Sequence, residues 1–281
     1  MQSLNPVIVF DLFQPERQQL LQLLAQLSEE EWYKPTICAG WTVKDIALHL
    51  LGDDIGILSR KRDKFDYQTV ADEQRSINSW GQLVAYINEM NALWVQATRR
   101  ISSNLLLSLL KFTGNETYQY FTSLDPYAFG ESVSWAGPDS APVWLDIARE
   151  YTERWVHQQH MRDAVNKPGL KDRRFFAPVL ETFVRALPHT FRDVQANTGT
   201  LIQLIISGEA GGEWYLLREK QQWILGKDAT ANSDASVSID QETAWRLFTK
   251  GISEDEALHK TTVKGNQSLG VKVLETVSII A

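Results

Sequence analysis

Residues Glu150 to His160, EYTERWVHQQH, place carboxylates, two imidazoles and a tryptophan in one short polar run of a chain that has only five histidines. If the run is helical, Glu153 and His157 stand at i and i+4 and project from one face a turn apart. That spacing is half of a metal site, because a catalytic ion needs a third protein ligand from elsewhere in the chain. His49, in GWTVKDIALHLLGD, is the best candidate: it ends an otherwise apolar helical face. In an antiparallel bundle, inward-facing residues of different helices meet in the core. The competing reading of a single histidine on such a face is a core residue with an ordinary hydrogen-bond partner.

The elements that must position these residues are legible in outline. Apolar spacing predicts a first helix between Asn5 and Leu27, broken by SEEEW and KPTICAGW. A second helix is expected from Thr42, an N-cap residue with Asp45 three positions on, and Gly40 is expected to let the chain turn tightly before it. The stretch from Ile77 to Phe112 reads as a long third helix interrupted near Ser102. FTSLDPYAFGESVSWAGPDSAP is turn-rich, with a short strand at most around Glu131 to Trp135. Val143 to Val165 is the expected fourth helix, with Pro142 in its first turn and NKPG ending it. A further helix spans roughly Phe175 to Leu187. Beyond it the texture changes to short β-branched and aromatic runs, GTLIQLIISG, GEWYLLRE, QQWILGK and ASVSID, before QETAWRLFTKG returns to helical spacing. LGVKVLETVSII reads as either a helix or a closing strand. The shift falls between Leu187 and Thr198, dividing the chain into a helical domain, 1–190, and an α+β domain, 191–281.

Composition narrows the function classes. The chain has 281 residues, 43% of them hydrophobic and 22% charged, as in an ordinary globular protein. A formal net charge of −7 argues against nucleic acid or an anionic membrane as partner, and the one dense basic stretch, RKRDKF, carries its own acid. No apolar run has membrane-spanning length, and the first residues lack the pattern of a secretory signal, so the cytoplasm is the expected location. A single cysteine, Cys38, excludes an internal disulfide and a cysteine-rich zinc site. No His or basic residue is placed beside it by sequence, and it reads as a packing residue. Trp41 and Trp155 read as core anchors. Arg154 and Arg162 read as solvated helix charges, whereas Arg149 could reach an anionic ligand. GEAGG lacks the Lys-Ser/Thr of a phosphate loop and reads as a hairpin turn.

PTICAGWTVKDIALHLLGD and EYTERWVHQQHMRDAV together resemble the N-terminal domain of the mycothiol-dependent maleylpyruvate isomerase family, a branch of the DinB-like metal-binding four-helix bundles. GEWYLLRE, TAWRLFTKG and LGVKVLETVSIIA resemble that family's C-terminal, sterol-carrier-like domain. The resemblance implies a divalent metal, usually taken as zinc, held by His49, Glu153 and His157. Two neutral imidazoles and one carboxylate leave a position open to water or substrate. Many relatives have an acid where this chain has His160, which could be a fourth ligand, a group behind the ligands, a base over the open position or a solvated side chain. Two functions of different class follow. One is a metal-dependent isomerase or S-transferase with a small-molecule substrate and a low-molecular-weight thiol as cosubstrate. The other is a non-catalytic stress-response protein that binds a metal or, through its second domain, a hydrophobic ligand.

Overall fold

The computed structural model describes residues 1–65 and 77–279. The chain forms two compact units. One comprises Phe10–Leu124 and Glu153–Leu170, the other Met1–Val9, Asp125–Thr152 and Lys171–Ala281. The fold is thus a helical N-terminal region followed by a sheet-containing C-terminal one. The change of texture near residue 190 does not coincide with a boundary of these units, since residues 171–190 pack with the sheet. Their apolar side chains Phe176, Val179, Leu180 and Phe183 are fully buried, which helical periodicity alone could not assign to either partner.

The helical unit contains α1 (Phe13–Ala25), the single turn α2 (Glu29–Trp32), α3 (Val43–Gly56), α4 (Trp80–Thr98), α5 (Ser103–Thr122) and the later half of α6 (Val143–Val165). The expected break at Ser102 is present: its side chain accepts from Leu105 N and starts α5. Helix α3 begins with a capping box between Thr42 and Asp45. Arg99, just past α4, grips the same Asp45 carboxylate through Nε and Nη2 at 2.8 and 3.0 Å. A π-helical stretch, Ile57–Arg62, continues α3. Leu20, Leu24, Ile46, Ala47, Leu50, Leu106, Leu110 and Met161 interlock as the core. Gly52 lets Trp94 dock there, since a Cβ at that position would lie 2.6 Å from the indole nitrogen. That nitrogen donates to Leu48 O at 2.7 Å.

A polar cluster threads the same bundle. Asp54, wholly buried, accepts from Arg17 at 3.1 Å, Arg154 at 2.8 Å and Thr113 at 2.7 Å. Gln158 donates to Glu16, and Arg162 donates to Gln158. Arg154 and Arg162 are 1% and 6% exposed, so they are interior charges rather than the solvated ones expected from spacing. A helix packed on all sides buries its polar positions too, and each then needs a partner.

In the second unit six strands are ordered β1-β6-β5-β4-β7-β8. They are β1 (Gln2–Ser3), β4 (Leu201–Ser207), β5 (Gly212–Glu219), β6 (Gln222–Lys227), β7 (Ala235–Asp240) and β8 (Thr262–Gly265). Among the described residues only β4 and β7 pair in parallel. Alternate residues of β5 and β7 are buried, which matches one covered face. GEAGG forms the β4–β5 turn. A separate hairpin pairs β2 (Phe129–Ser132) with β3 (Ser140–Pro142). Arg173–Phe183 is helical, and a 3-10 turn carries the chain into Leu187–Thr190. QETAWRLF is helical, and in the ambiguous last segment Gln267–Lys272 and Val273–Glu275 are helical whereas residues 276–279 are not. Its final Ile280 and Ala281 lie outside the described residues.

Candidate metal centre

Two segments of the helical unit supply the site. On α3, His49 is 5% exposed. On α6, Glu153 and His157 share a face as their spacing required. Both imidazoles converge on one carboxylate oxygen: His49 Nε2 lies 3.3 Å and His157 Nε2 2.9 Å from Glu153 Oε1. The rings of His49 and His157 stand edge to face with centroids 4.7 Å apart. One ligand atom from each of the three residues falls within 4.8 Å of the other two. Around a tetrahedral ion with bonds of about 2.0–2.2 Å, neighbouring nitrogen and oxygen ligands are separated by about 3.4 Å. The two distances to Glu153 Oε1 lie within about half an ångström of that separation. Glu153 keeps 32% of its side chain exposed, so the trio opens to solvent on that side.

Electrostatics without metal follow from this geometry. Burial opposes ionisation of Glu153, yet the His157 charge, with hydrogen bonds from both imidazoles, holds its carboxyl well below the usual range. Burial likewise opposes charge on His157. The Glu153 carboxylate and the Cys38 thiol outweigh it and push the imidazolium up to about 10. The Nδ1 of His157 is buried and has no hydrogen-bond partner.

Three neighbours were not legible as a group. Asp53 Oδ2 lies 3.3 Å from His49 Nε2, and its i,i+4 spacing from His49 was the available signal. Cys38, read as an isolated packing residue, has its Sγ 3.3 Å from His160 Nδ1. His160 is 8% exposed, which removes the solvated reading. It groups with Cys38 and His157, within 4.8 Å of one another, rather than with His49 and Glu153. No local pattern could find this contact, because 122 residues separate the partners.

The loop that carries Cys38 is closely tied. Thr36 N donates to Trp41 O at 3.0 Å and Trp41 N to Cys38 O at 2.9 Å. Gly40 turns at φ +76°, a left-handed conformation that favours glycine. Trp41 is only partly buried, with its ring 5.1 Å from that of His49, so it walls the site. Trp155 is a core anchor, wholly buried and donating to Leu170 O. Arg149 is engaged by Asp146 and Glu150.

The family profile described as mycothiol maleylpyruvate isomerase N-terminal domain matches residues 13–162, more than half of the chain and all three members of the trio. The chain belongs to the mycothiol maleylpyruvate isomerase family. No curated protein matches the sequence. Among solved structures, the mycothiol-dependent maleylpyruvate isomerase is 11% identical, with 85% of this chain and 86% of that chain covered and a TM-score of 0.48. The sterol carrier protein domain 2 of Helicoverpa armigera is 14% identical, with 38% of this chain and 89% of that chain covered and a TM-score of 0.28. Sterol carrier protein 2 from Yarrowia lipolytica is 15% identical over 48% of this chain and 85% of that one, with a TM-score of 0.24. Among the described residues, no helix is long and apolar enough to cross a membrane.

Proposed function

We propose that this family member is a divalent-metal-dependent enzyme, an isomerase or S-transferase that uses a low-molecular-weight thiol as cosubstrate. The reading rests on one observation: His49, Glu153 and His157 bring three ligand atoms within 4.8 Å of one another inside the segment that defines the family. Two imidazoles and a carboxylate suit zinc. When bound, such an ion supplies Lewis acidity, which lowers the pKa of a thiol or polarises a carbonyl.

The chain's own residues do the rest. Asp53 Oδ2 lies beside the same His49 Nε2 that faces Glu153 and adds negative charge next to the trio. Trp41 packs against the same ring and keeps water from one side of it. Glu153, held ionised, balances the cation and leaves the trio with a net charge of about +1 when a divalent ion is present. The family name supplies the reaction to try first, isomerisation of maleylpyruvate with mycothiol.

Metal analysis of the purified protein should find about one divalent ion per chain, with loss in His157→Ala and in the Cys38→Ser/His49→Ala double variant. Unchanged metal in both variants would remove the site. Turnover that requires both the ion and a thiol supports the enzyme. A metal-loaded protein inert towards maleylpyruvate with every low-molecular-weight thiol tried would favour the non-catalytic binding protein instead.

A further inference from the structure

The trio does not use the thiol and imidazole that lie beside it. Cys38 Sγ and His160 Nδ1 are 3.3 Å apart, and His157 completes a group whose ligand atoms lie within 4.8 Å of one another. Around a tetrahedral ion with a sulfur bond of about 2.3 Å and nitrogen bonds of about 2.0–2.1 Å, sulfur and nitrogen are separated by about 3.5 Å. The Cys38–His160 spacing already matches that separation, and the His157 ligand atom lies within 4.8 Å of both. The loop bearing Cys38 is braced by backbone hydrogen bonds at both Thr36 and Trp41, and His160 is fixed in a packed helix, so the two ligands are held in place before any ion arrives.

We propose that Cys38, His157 and His160 form a second, thiolate-containing site for a soft divalent cation, Zn²⁺ or Cd²⁺, which shares His157 with the His49–Glu153–His157 trio. One thiolate and two neutral imidazoles carry the same charge as the trio but are softer, so they rank Cd²⁺ higher. A single imidazole serves two ions only as an imidazolate, which a site of this charge does not favour. The chain therefore holds one ion, in one set or the other. The inference stands apart from the trio's function, since His49 and Glu153 take no part in it.

The test is titration of the full-length, reduced, metal-free protein with Cd²⁺. The near-ultraviolet thiolate-to-cadmium charge-transfer absorption reports the sulfur ligand, and equilibrium dialysis counts ions. Wild type should show the band and bind about one ion per chain. The His49→Ala/Glu153→Gln double variant should keep the band at full amplitude. Cys38→Ser should lose the band but still bind about one ion through the trio, and His160→Gln should need about tenfold more Cd²⁺ for half-saturation. A band absent from both wild type and the double variant would overturn the proposal, as would two ions bound per wild-type chain. If the double variant does not fold by circular dichroism, wild type against Cys38→Ser decides the same question. A Cys38→Ser protein that binds nothing would count against the trio alone and leave this site standing.

Discussion

Uptake of an ion by the trio must expel a proton, and the metal-free geometry fixes where it comes from. His157 sits 2.9 Å from Glu153 Oε1 and is raised from 6.5 to about 10, despite its burial, by the Glu153 carboxylate and the Cys38 thiol. Glu153, held well below its usual value, is already ionised and releases nothing. A ligating nitrogen must be deprotonated. Below about pH 10, therefore, each ion displaces one proton from His157, and the apparent association constant climbs about tenfold per pH unit, about 1.4 kcal/mol. Between about pH 7 and pH 9 that is a rise of about a hundredfold, where an unshifted imidazole would give an almost flat curve. The assay is calorimetric titration with chelator-buffered Zn²⁺ in buffers of different protonation enthalpy, on the wild-type chain, because Cys38 is one of the groups that raise His157. Glu153→Gln should reduce the proton count at about pH 8 because the carboxylate that raises His157 is gone. No proton release from His157 at about pH 8, or an affinity flat across the range, would refute the reasoning.

The same pair ties metal-free stability to pH. The raised His157 value makes its contribution complete below 6.5 and lost as pH climbs through about 10; the depressed Glu153 value makes its contribution complete above 4.5 and lost as pH falls through the lowered pKa. Urea unfolding of the metal-free protein across that range should show both edges. Asp54→Ala should cost about 3–5 kcal/mol by urea unfolding, because it strands two buried guanidiniums, Arg17 and Arg154. Asp54 itself is lowered although burial opposes it, through Arg17 and Arg154, so its contribution is present above 3.8 and lost as pH falls further. Gly52→Ala should cost about 1–3 kcal/mol by urea unfolding, since the new Cβ displaces the Trp94 indole. A fragment of residues 1–190 contains the whole helical unit and all three ligands, and should retain about one ion per chain while exposing Phe176 and Phe183. Loss of the ion from a helical fragment would show that the second half is needed to hold the site.

The sequence by itself determined what is local. Thr42 with Asp45, Ser102, Pro142 and the 3.6-residue spacing set where helices begin, because a cap and an apolar stripe act within one turn. The i,i+4 step placed Glu153 and His157 on one face for the same reason. GWTVKDIALH and ERWVH together also resemble the family to which the chain belongs. Tertiary structure decided the rest. It brought His49 against Glu153 across 104 residues, and Cys38 against His160 across 122. It also turned Arg154 and Arg162 inward, where the Asp54 carboxylate accepts from Arg154 and the buried Gln158 amide and the Gln19 carbonyl accept from Arg162. It drew residues 171–190 into the sheet unit, since an amphipathic helix specifies that it must bury a face but not against what. Contacts between distant segments depend on how whole helices pack, and no spacing within eleven residues of polar sequence encodes that.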